Sequence, residues 1–124
     1  MPKVEKARQA TLIHNLGIIY QRRGDHGAAF AEYEKSLKIA EELGDRAGVA
    51  LSHGQMGTLF IETEKFPEAF AHLLFALSIF VELQSPKAQM DINFLKTLRQ
   101  KWGAKKFDAA WRKKSGEAVP EAFK

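Results

Sequence analysis

The chain has 124 residues, 45% of them apolar and 27% charged, with a formal net charge of +4; this suffices for one small domain with a core and leaves little for a second. It contains no cysteine, which excludes a disulfide framework and a thiolate metal site and is compatible with a reducing, cytoplasmic setting. No long apolar run follows Met1-Pro2-Lys3, so neither a signal peptide nor a membrane-inserted segment is expected.

The first helix is predicted over residues 4–22, where Leu12, Leu16, Ile19 and Tyr20 recur at three- and four-residue spacing. It stops at Gly24. Asp25 is placed to cap a second helix, whose stripe of Ala28, Ala29, Tyr33, Leu37, Ala40 and Leu43 runs to Gly44. The connection through Arg23-Gly24-Asp25 is so short that the two helices must return antiparallel and pack together.

Asp45 then opens a third helix over 46–63, with Val49, Met56, Leu59 and Phe60 turned towards the first hairpin. Each of its glycines, Gly48, Gly54 and Gly57, costs about 1 kcal/mol relative to alanine in a helix interior, which points to close helix approach. Pro67 suits the first turn of a fourth helix running to Leu83, and that helix is apolar nearly all round, from Phe70 through Phe75 and Phe80 to Val81. Such a helix belongs between hairpins or against a further neighbour. Ser85-Pro86 starts a fifth helix over about 86–102, and a sixth follows over about 106–114. Gly116, Pro120 and the charged terminus, residues 115–124, are expected to form a less ordered tail.

These helices repeat. Asn15-Leu16-Gly17 with Tyr20, Ala29, Tyr33, Leu37, Ile39 and Leu43 returns forty residues later as Gln55-Met56-Gly57 with Phe60, Ala69, Leu73, Leu77, Ile79 and Leu83. A weaker echo follows, in which Lys106-Phe107-Asp108-Ala109-Ala110-Trp111 matches Lys65-Phe66-Pro67-Glu68-Ala69-Phe70, with Leu98 where a glycine is expected. A fixed period of this length marks units that bury their apolar faces only by stacking on one another. The expected fold is all-α: a right-handed superhelical stack of antiparallel hairpins, with about three repeats (10–44, 50–84 and 91–114) inside one domain, 4–114.

On these residues the chain resembles the tetratricopeptide repeat family, in the forty-residue form found in kinesin light chain and in bacterial regulators. Unit one is the closest match; in unit two Gln55, Phe60, Glu64 and Leu73 replace the usual Asn, Tyr, Gly and Tyr. The resemblance implies a concave groove that receives an extended peptide or a partner helix. By position its lining would be Thr11, His14, Asn15, Ile18 and Gln21, then Leu51, Gln55, Thr58 and Glu62, then Ile92, Lys96 and Arg99. The amides of Asn15 and Gln55 can donate and accept together, as a partner backbone demands. His14 and Ile18 stand where some relatives hold a Lys and an Asn that clamp a terminal carboxylate, so that mode of recognition is not implied.

Residues 1–86 carry 9 Lys/Arg and 11 Asp/Glu, a balance of −2, whereas residues 87–124 carry 10 and 4, a balance of +6. The leading reading is therefore a non-catalytic module binding a protein or peptide of acidic character, in the groove or at its terminal faces. Phe75, Phe80, Trp102 and Trp111 are candidate apolar anchors for a partner or a second copy. Nucleic-acid binding through the basic C-terminal third ranks lower, because the first two thirds offer no continuous positive track. An enzyme ranks lowest: there is no phosphate loop or nucleophile elbow, and His14, His26, His53 and His72 lie far apart in sequence with no zinc-binding run, so no metal or cofactor is expected.

Overall fold

The computed structural model describes residues 2–124. Six α-helices follow one another: α1 (Lys3–Arg22), α2 (His26–Leu43), α3 (Arg46–Glu62), α4 (Phe66–Glu82), α5 (Ala88–Trp102) and α6 (Ala104–Ser115), with a short 3-10 turn at Glu121–Phe123. There is no β-strand among the described residues. Each α1/α2, α3/α4 and α5/α6 pair is a hairpin, and the hairpins stack in chain order.

Local chemistry sets the boundaries. The Asp25 carboxylate accepts from the Ala28 N–H at 3.2 Å and Asp45 from the Gly48 N–H at 3.0 Å, satisfying donors that the first turn of a helix leaves free. Pro67 lies in the first turn of α4, where its missing N–H costs nothing. Gly44 ends α2 in the left-handed region at φ 67°. The turn after α1 has Gly24 in that region at φ 80°, and the equivalent turn after α3 places Glu64 there at φ 61°, a conformation that a side chain makes less favourable. The fifth helix begins two residues later than expected. Bonds of the i to i+3 kind from Ala88 N to Ser85 O and from Gln89 N to Pro86 O tighten its approach, while Ser85 Oγ accepts from Lys87 N.

Close approach within each hairpin depends on one small residue. A Cβ at Gly17 would fall 2.6 Å from Tyr33 Cε1, and one at Gly57 would fall 2.7 Å from Leu73 Cγ. Both neighbours are fully buried. Ala29 and Ala69 are buried at the same contacts, and the half-buried Tyr20 and Phe60 pack beside them. Between hairpins, Tyr33 and Ala29 meet Met56 and Leu59 of α3, with Phe30 and Leu37 at the edge. A large side chain removed from water in this way contributes about 1.5–3 kcal/mol.

The C-terminal tail is not a loose end. Val119 and Phe123 are buried against Phe107, Leu95 and Leu98, and the Phe123 ring lies edge-on to Trp111 at 5.0 Å. Its composition, with Gly116, Pro120 and charges, suggested disorder, but two apolar side chains seven and eleven residues beyond Arg112 cover the open end of the last hairpin. The two sides of α4 differ: Ala69, Leu73, Ala76, Ile79 and Phe80 are buried, whereas Phe75 and Val81, and Leu83 just past the helix end, remain exposed.

Candidate functional site: the valley between α1 and α3

Nine of the twelve residues expected in the groove come together. Thr11, His14, Asn15 and Leu51 wall a cavity of about 280 Å³, joined by Lys87 from the segment before α5. Ile18, Gln21, Gln55, Thr58 and Glu62 wall another of about 370 Å³, joined by Phe94 of α5. The residues of α1 and α3 occur in sequence order along this valley because positions three and four apart share one helix face.

One end of the valley is held by hydrogen bonds within the chain. Gln21 Nε2 donates to Thr58 Oγ1 at 2.9 Å and to Glu62 Oε1 at 2.8 Å, while Gln21 Oε1 accepts from the Tyr33 hydroxyl at 2.7 Å. Glu62 Oε2 also lies 3.2 Å from His26 Nε2. Burial, reinforced by the nearby Glu62 charge, pushes the Tyr33 hydroxyl up to about 12, so it remains a donor. This network joins α1, α2 and α3. Gln21, Thr58 and Glu62 therefore shape the wall and are already engaged.

The amides of Asn15 and Gln55 make no hydrogen bond to another described residue, and Asn15 is exposed. They are the free donor and acceptor pairs in the valley. His14 is buried rather than presented: its ring packs on Tyr33 at 5.4 Å, and desolvation, with a smaller contribution from Lys87, lowers its pKa. A buried neutral imidazole forms part of the floor.

The third unit departs from the expected register. Ile92 packs against the core around Leu95 and Leu98. Arg99 is not available to a partner: its Nε and Nη2 donate to the two carboxylate oxygens of Asp108 at 2.9 and 3.1 Å, tying α5 to α6 and holding Asp108 below the usual carboxylate range. Lys96 is half-buried and forms no ion pair with a described residue. Leu98 fills with its own side chain the kind of space that Gly17 and Gly57 leave for a neighbour, and residues Lys87 and Phe94, which positional transfer missed, reach the valley instead.

The four candidate anchors also separate. Phe80 is only 1% exposed and belongs to the core with Ala50, Ala76 and Ile79. Trp102 lies against Phe66 and Phe70, and Trp111 against Phe123 with its Nε1–H donating to Ala118 O at 3.2 Å. Phe75 alone points outward, 47% exposed.

Two further groups were not singled out from the sequence. His53 Nδ1 and His72 Nδ1 lie 2.9 Å apart, so one ring donates and the other accepts. Distance along the chain hid this pair. Desolvation, then the neighbouring His72, pushes His53 down to about 4, and desolvation lowers His72 as well. No group of three or more His, Cys, Asp or Glu side chains suited to a metal occurs among the described residues. Asp91 is 2% exposed, with Oδ2 lacking any hydrogen-bond partner among the described residues, and desolvation pushes it up to about 7. Its place in the buried 91-95-98 spacing with Leu95 and Leu98 was the available signal.

No helix among the described residues is long and apolar enough to cross a membrane. No curated protein matches the chain. The family model of the tetratricopeptide repeat matches residues 8–80, which cover most of the first two hairpins. With more than half of its length matched, and with stacked helix hairpins throughout, the chain belongs to the tetratricopeptide repeat family.

Proposed function

We propose that the protein is a non-catalytic interaction module that holds an extended polypeptide segment in the valley between α1 and α3. Repeats of this family generally mediate protein–protein interaction. The observation that carries the reading is the pair of unengaged amides, Asn15 and Gln55, set beside Gln21, Thr58 and Glu62, whose side chains are already hydrogen-bonded within the chain. An amide that donates and accepts suits a peptide backbone, whose polar groups must find partners when they leave water. Lys87 at one cavity wall favours acidic side chains in that segment. The cysteine-free composition suits a reducing, cytoplasmic setting.

The experiment is retention of a polypeptide from the native source by the wild-type chain and by an Asn15→Ala, Gln55→Ala double variant. The reading expects the folded variant to lose the same partner. Equal retention would move the function away from the valley.

A further inference from the structure

The outward side of α4 breaks the repeat. At a forty-residue offset, Ala31, Glu34, Lys35 and Lys38 of α2 become Ala71, Leu74, Phe75 and Ser78 of α4. On α2 this side is mainly exposed charge, the ordinary outer surface of a stack. On α4 the charges are gone. Ala71, Leu74, Phe75 and Ser78, together with Phe70, line a cleft of about 420 Å³ whose opposite wall is Lys114 of α6.

The stack accounts for only part of this change: besides the buried Ala69, Leu73, Ala76, Ile79 and Phe80, the half-buried Leu74 packs against the core, whereas Ala71 and Phe75 stay exposed. Phe75 remains 47% exposed even though His53 packs against its ring at 4.6 Å. A contiguous apolar strip at three- and four-residue spacing, bordered by a cation, is the pattern that receives an amphipathic segment.

We infer that the cleft between α4 and α6 is a second docking surface, which takes an amphipathic acidic segment of another protein. Its apolar side seats on Leu74 and Phe75, and its carboxylates meet Lys114 at the end of α6. Charge also selects against a second copy as the occupant. A two-fold pairing of two such clefts would bring together two C-terminal thirds, each with a balance of 10 − 4 = +6 over residues 87–124. The exposed stripe on α1, Val4, Leu12 and Leu16, has Lys3 and Arg8 beside it, with Lys6 paired to Glu42 and only Glu5 of opposite sign, so it brings no net negative charge to Lys114. From Ala71 to Ser78 the strip extends roughly 10 Å, so two helical turns of the partner cover it. This surface is separate from the valley, and neither reading depends on the other.

The test is selection of a randomised 16-residue peptide display library on the 124-residue chain, followed by affinity measurement for the enriched peptides. The expected peptides carry apolar residues at three- and four-residue spacing flanked by Asp or Glu. Phe75→Ser should weaken them at least tenfold, and Lys114→Glu should weaken them and reduce their salt dependence, while Asn15→Ala with Gln55→Ala leaves them unchanged. Ala71→Glu, at another exposed position, provides a second disruption should Phe75→Ser fail to fold. Three outcomes overturn the inference: no enriched peptide responds to either cleft variant, the responsive peptides are basic, or light scattering shows a dimer that Phe75→Ser dissociates.

Discussion

The ring of Tyr33 occupies the space that any side chain at Gly17 would need, with Cε1 only 2.6 Å from the position of a Cβ. The same ring donates its hydroxyl proton to Gln21, packs on His14 and is fully buried. One contact therefore fixes the first hairpin and anchors the polar wall of the valley. It follows that Gly17→Ala should destabilise the protein even though alanine is the better helix former. Overpacking costs about 1–3 kcal/mol and outweighs a propensity gain of about 1 kcal/mol. Urea denaturation followed by circular dichroism should give a lower midpoint; a raised midpoint would contradict the packing account.

This relationship was legible before the structure, because Gly17 and Gly57 occupy matching places in two matching patterns. So were the caps and turns at Gly24, Asp25, Gly44, Asp45 and Pro67, which depend on local chemistry. The third unit was harder to read. Leu98 replaces the small residue, and Phe94 of α5, with Lys87 just before that helix, reaches the valley where register alone suggested Ile92 and Arg99. The Arg99–Asp108 pair and the His53–His72 pair depend on which helices meet, which the pattern of a single helix does not encode. Phe123 was missed because one apolar residue in a polar tail carries no periodicity.

Asp91 and His53 give the stability opposite slopes with pH. Asp91 is raised to about 7 in the folded chain, so it favours folding in its protonated form; that contribution is present below its unfolded value of 3.8 and is lost as pH rises through 7. His53 is lowered from 6.5 to about 4, so its contribution is present above 6.5 and is lost as pH falls through 4. Each slope is on the order of 1.4 kcal/mol per pH unit. Between pH 4 and 6.5 they oppose one another. His14 and His72, also lowered by burial, act in the same direction as His53, so Asp91→Asn should make the rise of stability with pH steeper than in the wild type over this interval and should exceed the wild type at pH 8. Parallel pH profiles for the two proteins would show that Asp91 does not titrate as its burial requires.

Phe123 seals the end of the stack at 4% exposure against Phe107 and Trp111. Phe123→Ala should cost about 3 kcal/mol, at the lower end of the range for truncating a buried phenylalanine. Tryptophan emission should move to longer wavelength as Trp111 gains water. An unchanged spectrum and midpoint would mean that the tail does not cap the last hairpin.

The central claim is that a polypeptide lies along the valley between α1 and α3, beside Asn15 and Gln55. Its most direct test places a photo-crosslinking amino acid at exposed positions one at a time, at Asn15 in the valley and at Lys38 on the outer side of α2, with the partner retained from the native source as the probe. Crosslinks from position 15 that are absent from position 38 are the predicted result. Crosslinks from position 38 with none from position 15 would contradict the account.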